Sequence, residues 1–129
     1  AVMSSAAGVL GLPLTAAYGA SKHALHGFFE SVRLELAMKG SGVRVTMAVL
    51  GSLDTESNVQ ATEGMGLGHI GRWPVEDAAD AVIRGAARAQ RTVYYPASQL
   101  VPLLWVRFLW PWLGDVLITS SMASALPSA

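Results

Sequence analysis

The sequence predicts an α/β fold, a doubly wound parallel sheet followed by an apolar helical tail, and three observations predict it. Short strand-like runs alternate with longer segments of helical period: strand near 1–5, helix over 15–39, strand over 43–50, helix over 74–90, strand over 92–95. Such alternation makes the strands parallel and puts helices on the faces, because a parallel crossover needs a helix-length return. The 129 residues are 52% hydrophobic and 14% charged, enough for one core and too apolar for a disordered chain. Residues 99–118 (QLVPLLWVRFLWPWLGDVLI) then form the apolar tail.

Residues 1–5 (AVMSS) read as the end of a strand, and Gly8, Gly11 and Pro13 punctuate the loop after it. Thr15 is placed to cap a helix running to about Lys39, where Gly40 and Gly42 stop it. Leu25, Phe28, Phe29, Val32 and Leu36 recur at three- and four-residue steps, so this stripe is expected to face a core. Ala17, Ala20 and Ala24 allow another element to come close. Residues 43–50 alternate and then turn continuously apolar, as a buried parallel strand does. Over 51–73 Ser, Thr, Gly and Asn prevail without a sustained period, which predicts a long loop or lid. Pro74 suits a first helical position, with Glu76 and Asp77 in the first turn. That helix is expected to reach about Gln90 with Val75, Ala78, Ala79, Val82, Ile83, Ala86 and Ala87 inward. Residues 92–95 form the third strand, closed by Pro96. Three parallel strands keep an open edge, so the sheet is expected to need partners beyond this chain.

Charge and composition exclude several classes. Nine Lys plus Arg balance nine Asp plus Glu, leaving no basic surplus for nucleic acid. Without Cys there is no disulfide scaffold, thiolate zinc site or cysteine nucleophile. The opening AVMSS shows neither an initiator Met nor the basic and apolar regions of a signal peptide, and the chain reads as cut from something longer. Residues 99–118 approach membrane-span length, but Pro102, Pro111, Arg107 and Asp115 interrupt them, so they are expected not to span. Trp105, Trp110 and Trp112 with Phe108 and the surrounding leucines are too apolar for water. They are expected to pack on the sheet, on a second subunit or into a membrane surface.

Ser5, Tyr18 and Lys22 carry the sharpest chemical signal. Four residues apart on a helix, Tyr18 and Lys22 share a face one turn apart. An ordinary phenol titrates at about pH 10, too high for neutral acid/base work, and a neighbouring ammonium favours the phenolate. Ser5 stands at the carboxyl end of its strand, the edge where open α/β sheets hold ligands, within reach of an oxygen that Tyr18 protonates. Alone, Tyr-x-x-x-Lys is far more often an ordinary helix surface.

The ordered set is more specific than any member. Ser4-Ser5-Ala6-Ala7-Gly8, Tyr18-Gly19-Ala20-Ser21-Lys22 with Tyr18 thirteen residues after Ser5, YGASKHALHGFF over 18–29, VLGSLDTE over 49–56 and Val93-Tyr94-Tyr95 make up the set. Together they resemble the short-chain dehydrogenase/reductase family, in its 11β-hydroxysteroid dehydrogenase type 1 and type 1-like subgroup, over about residues 2–96. The resemblance implies the C-terminal half of a Rossmann-like domain over 1–98, with 51–73 as substrate lid, and an apolar C-terminal tail over 99–129. It implies Tyr18 as catalytic acid/base, Lys22 as the residue that holds the nicotinamide ribose and assists Tyr18, and Ser5 as the group positioning the substrate oxygen. Leu53, Asp54 and Thr55 then join Tyr18 and Lys22 at the cofactor, while Leu12, Leu50 and Gly51 join Ser5 at the substrate.

The implied reaction interconverts a hydroxyl and a carbonyl on an apolar, steroid-like substrate with NADP(H), NAD being the alternative. The resemblance also implies a homodimer in the endoplasmic reticulum or another membrane-associated or secretory compartment. Leu50-Gly51, where many members have Pro-Gly, supports the subgroup, whereas His23 and His26 depart from the aromatic and acidic residues expected there. No glycine-rich pyrophosphate turn and no upstream catalytic Asn precede Ser5. The alternative is therefore a non-catalytic fragment that binds a membrane or a partner through 99–118.

Three other patterns are set aside. Gly66-Leu67-Gly68-His69-Ile70-Gly71 spells the dinucleotide fingerprint G-x-G-x-x-G, but polar loop precedes it, Arg72-Trp73-Pro74 follows, and Arg91 stands where an acidic ribose ligand belongs. It is expected to be part of the lid. His23, His26 and Glu30 share a helix, yet histidines three apart diverge, so no metal site is expected. Gly19-Ala20-Ser21-Lys22-His23 lacks the last Gly of a nucleophile elbow and sits inside a helix.

Overall fold

Residues 1–123 are described by a computed structural model. In chain order they form β1 (Val2–Ser5), a 3-10 turn (Ala6–Gly8), α1 (Ala16–Met38), β2 (Met47–Leu50), α2 (Glu56–Gly64), α3 (Val75–Ala87), β3 (Thr92–Tyr95), α4 (Ala97–Leu109) and α5 (Pro111–Met122). The strands make one parallel sheet in the order β1-β2-β3, with Val2 opposite Met47 and Met47 opposite Thr92. This is the α/β arrangement with a parallel sheet that the alternation of elements predicts, and the Rossmann-like one that the resemblance implies. β2 is central, and its Met47, Ala48 and Val49 are buried, which is why the segment is continuously apolar.

Helices cover both faces. Successive β3 residues point to opposite sides: Val93 packs beneath Gly85 of α3, while Tyr94 joins Ala6, Val49 and Leu100 of α4. Ser4 is in register with Val49 and its Oγ is hydrogen-bonded to His26 of α1, so α1 and α4 share one face and α3 covers the other. A second cluster joins Leu10, Leu67, Ile118 and Met122, tying the loop after β1 and the end of α2 to α5.

Several local expectations are corrected. The strand expected over 43–50 begins only at Met47. β1 starts at Val2, whose amide reaches the Thr46 carbonyl at 2.8 Å, and among the described residues no strand pairs with 43–45, where the Val45 carbonyl accepts instead from Arg33 of α1 at 3.0 Å. Thr15 precedes α1 without capping it, because its hydroxyl donates instead to the Leu12 carbonyl at 2.9 Å. In the α1 stripe Leu25, Phe29, Val32 and Leu36 are half-buried, but Phe28 is exposed and meets Phe29 edge-on. α3 ends at Ala87 and buries Ala78, Val82 and Gly85, leaving Val75, Ala79, Ile83 and Ala87 outside a narrower stripe.

The segment 51–73 also contains a helix, α2. Thr55 caps it by accepting from the Asn58 amide at 3.4 Å, and Glu56 sits in its first turn. Its polar composition carries almost no apolar period, which hides it from a periodicity reading.

α1, α2 and α3 close in the same way. Gly40, Gly66 and Ala89 adopt φ of 62°, 71° and 53°, and the next amides, of Ser41, Leu67 and Gln90, return to the carbonyls of Leu36, Thr62 and Gly85. This is the six-to-one helix stop that a left-handed residue makes. The first glycine of G-x-G-x-x-G therefore ends α2, and Leu67 goes into the core.

Trp110 breaks the tail into two helices, with Pro111 opening the second. Leu100, Ile118 and Met122 are buried against the rest of the chain, whereas Trp105, Phe108, Trp110 and Trp112 stay exposed. Among the described residues no helix is long and apolar enough to cross a membrane. The tail expected beyond residue 123 lies outside the described residues.

Candidate active site

The site is built at the carboxyl end of β1. Ser5 ends the strand, and its Oγ accepts from the Ala7 amide at 3.2 Å, capping the 3-10 turn. α1 crosses this turn at Gly8, where a Cβ would stand 2.6 Å from Ser4 Oγ and 3.0 Å from the Lys22 carbonyl oxygen. The missing side chain lets the helix settle onto the turn, which brings Tyr18 to the strand end. Tyr18 lies in the first turn of α1 and is 50% exposed. Lys22 Nζ stands 5.6 Å from the Tyr18 ring centroid and donates to the Met3 carbonyl at 3.3 Å.

Ser5 and Tyr18 line one cavity of about 640 Å³, together with Leu12 and Gly51. That volume suits a small-molecule ligand. Leu14, Met65, Leu67 and Ile118 make much of its wall apolar, and α2 adds Ser57, Asn58 and Thr62. Lys22 lies behind Tyr18, outside this lining. Leu50 is half-buried at the end of β2, next to Gly51. Residues 53–55 run alongside the cavity: Leu53 bridges to Trp73, the Asp54 amide donates to the Trp73 carbonyl at 2.8 Å, and Thr55 caps α2. The structure thus groups Ser5, Tyr18, Lys22, Leu12 and Gly51 at one sheet edge, and sets Leu53, Asp54 and Thr55 on the strip leading into α2.

Some neighbours of the site escape a sequence reading. His26 Nε2 is 2.9 Å from the buried Ser4 Oγ, directly behind Ser5 in the strand. Burial lowers its pKa, the Glu30 charge opposes this, and the His23 and Arg33 charges reinforce it. His23 turns instead to the Gly19 carbonyl, so the two histidines do not converge. Asn58 has no motif to announce it, because the helix carrying it is itself unannounced. Ile118 and Met122 had a signal only in the apolarity of the tail.

The model of the short chain dehydrogenase family matches residues 1–66. The chain belongs to that family. Among relatives, the hydroxysteroid 11-beta-dehydrogenase 1-like protein of Gallus gallus is 42% identical over 106 residues, 81% of this chain and 36% of that protein. Protein A of the same name from Xenopus laevis is 38% identical over 110 residues, 85% of this chain and 37% of its own length. The Xenopus tropicalis protein is 40% identical over 95 residues, 74% and 32% respectively. The chain spans about a third of the length of these curated relatives. The family match runs through β1, α1, β2 and α2, so this short chain dehydrogenase segment contains Ser5, Tyr18 and Lys22 within the matched residues.

Proposed function

We propose that the chain forms the substrate-binding and proton-transferring part of an oxidoreductase that interconverts a hydroxyl and a carbonyl on an apolar, steroid-like substrate. The observation that carries this reading is that Ser5 and Tyr18 open into one largely apolar cavity while Lys22 backs Tyr18. The residues present suit the nicotinamide end of a dinucleotide. The cleft lies at the carboxyl ends of parallel strands, Gly51 presents no side chain to it, and Lys22 uses one of its three N–H donors on Met3, leaving two for ribose hydroxyls. When bound, the dinucleotide supplies or accepts the hydride.

In the reducing direction Ser5 Oγ donates to the substrate oxygen and holds it, and Tyr18 Oη delivers the proton to that oxygen. In the oxidising direction Tyr18 takes the proton back. Fluorescence titration with NADPH and NADH in parallel, on the full-length protein carrying this segment, tests the reading and decides the nucleotide. Saturable binding with turnover of an apolar ketone is the expected result; absence of binding to either nucleotide ends the reading.

The exposed Trp105, Phe108, Trp110 and Trp112 favour a second role, docking of the tail on a membrane surface or on a second copy of the chain. Liposome sedimentation and analytical ultracentrifugation separate the two. A chain that binds liposomes and no dinucleotide supports a non-catalytic binding module.

A further inference from the structure

We propose that Asn58 is a positioning residue that fixes residues 53–55 from the substrate-facing helix α2, a role that rests on the dinucleotide-dependent reading above. Its Nδ2 donates to Ser52 Oγ at 2.9 Å and to the Leu53 carbonyl at 2.8 Å, while its backbone amide donates to Thr55 Oγ1 at 3.4 Å. One residue thus engages Ser52, Leu53 and Thr55. The Leu53 carbonyl can only accept, so the amide nitrogen must face it, and a carboxylate in its place would meet it with an oxygen.

The same strip is held on its other side by backbone alone. The Asp54 amide donates to the Trp73 carbonyl at 2.8 Å, and the Trp73 amide to the Ser52 carbonyl at 3.0 Å. That outer grip needs no particular side chain, whereas on the inner side the Asn58 carboxamide adds its bonds to Ser52 and Leu53 to the backbone ones, from the Thr55 amide to the Leu53 carbonyl and from the Val59 amide to the Thr55 carbonyl, both 2.9 Å. Asn58 and Ser52 also line the cavity that Ser5 and Tyr18 share. An occupant seated against α2 therefore bears on the strip at the same residue that fastens it. Asn58 sets the strip's position relative to the cavity, and through it the place of the nicotinamide end.

The test uses Asn58→Ala, Asn58→Asp and Ser52→Ala in the full-length protein. Both Asn58 variants raise the dinucleotide KM by about tenfold and lower kcat, since lost hydrogen bonds of this kind cost roughly one order of magnitude in affinity. Ser52→Ala moves the dinucleotide KM the same way by about threefold. A side chain that only lines the wall alters the ketone KM and leaves the dinucleotide KM unchanged, and that result overturns the proposal.

Amide hydrogen exchange gives a readout independent of turnover. Exchange at Asp54 and Thr55 quickens in the Asn58 variants, while the amides of β2 keep their protection. If the wild-type protein binds no dinucleotide, the functional reading fails and exchange decides the clamp. Unchanged exchange at 54 and 55 overturns it, and so does faster exchange with an unchanged dinucleotide KM in an enzyme that does bind.

Discussion

Lys22 is fastened at both ends of its reach to the machinery around Tyr18: its ammonium lies 5.6 Å from the Tyr18 ring centroid and donates at 3.3 Å to Met3, in the strand that ends at Ser5. With the His26–Ser4 hydrogen bond, this side chain joins helix to strand, so the phenol and the Ser5 hydroxyl keep their mutual placement.

Tyr18→Phe removes only the hydroxyl and leaves the ring against the ammonium. Turnover by the full-length protein falls by about 10²–10⁴-fold, the usual worth of a general acid/base, with dinucleotide affinity kept within about twofold. Lys22→Ala loses the ring contact and the Met3 tie together, and raises the dinucleotide KM as well as lowering kcat. Steady-state kinetics with varied dinucleotide separate the two patterns, and substantial turnover by Tyr18→Phe removes the phenol from the reaction.

The buried side of the site makes stability depend on pH. Burial holds the His26 pKa below its ordinary value of about 6.5. Below that pH the unfolded chain binds a proton that the folded chain resists, so the contribution is whole above about 6.5 and is lost as pH falls through the folded value. Glu30 tempers the effect, while His23 and Arg33 add to it. Thermal melts between pH 8 and pH 5 show the wild type losing Tm more steeply than His26→Gln, which can still hydrogen-bond Ser4 but does not titrate. Equal slopes contradict the assignment to His26.

Order, strand direction and the Ser5–Tyr18–Lys22 grouping were legible because each rests on a local rule: period, punctuation, and helical spacing. The edges of those rules mark what was not legible. Phe28 and Ile83 fit a stripe by spacing yet lie outside it, since the packed face of each helix is set by what crosses it. α2 is too polar and short to declare itself. The Ser4–His26 and Ser52–Asn58 pairs join residues that pattern cannot associate, and α5 becomes a cavity wall only once Ile118 and Met122 fold back onto Leu10 and Leu67.

Ala89 stops α3 in the left-handed conformation, φ 53°, where Gly40 and Gly66 stop α1 and α2. A Cβ in that region costs about 1–2 kcal/mol, part of which a glycine returns as unfolded-state entropy. Ala89→Gly therefore stabilises the chain by about 0.5–1 kcal/mol, read as a rise in the urea midpoint with unchanged slope. Gly40→Ala shifts the midpoint the other way by a similar amount.

Leu67 is the joint between the end of α2 and the tail. It is buried among Leu10, Ile118 and Met122, and it also faces the cavity. Leu67→Ala removes three carbons from a contact that backbone on either side, the α2 stop and the α5 helix, cannot close by moving. The loss is about 2–4 kcal/mol by urea unfolding, while Leu67→Met, which keeps the volume, costs less than about 1.5 kcal/mol. Because the emptied space adjoins the cavity, a small apolar ligand soaked into the alanine variant recovers part of the lost stability. A variant as stable as wild type without ligand would mean that α5 does not lean on this joint, and the tail would then have to be held elsewhere.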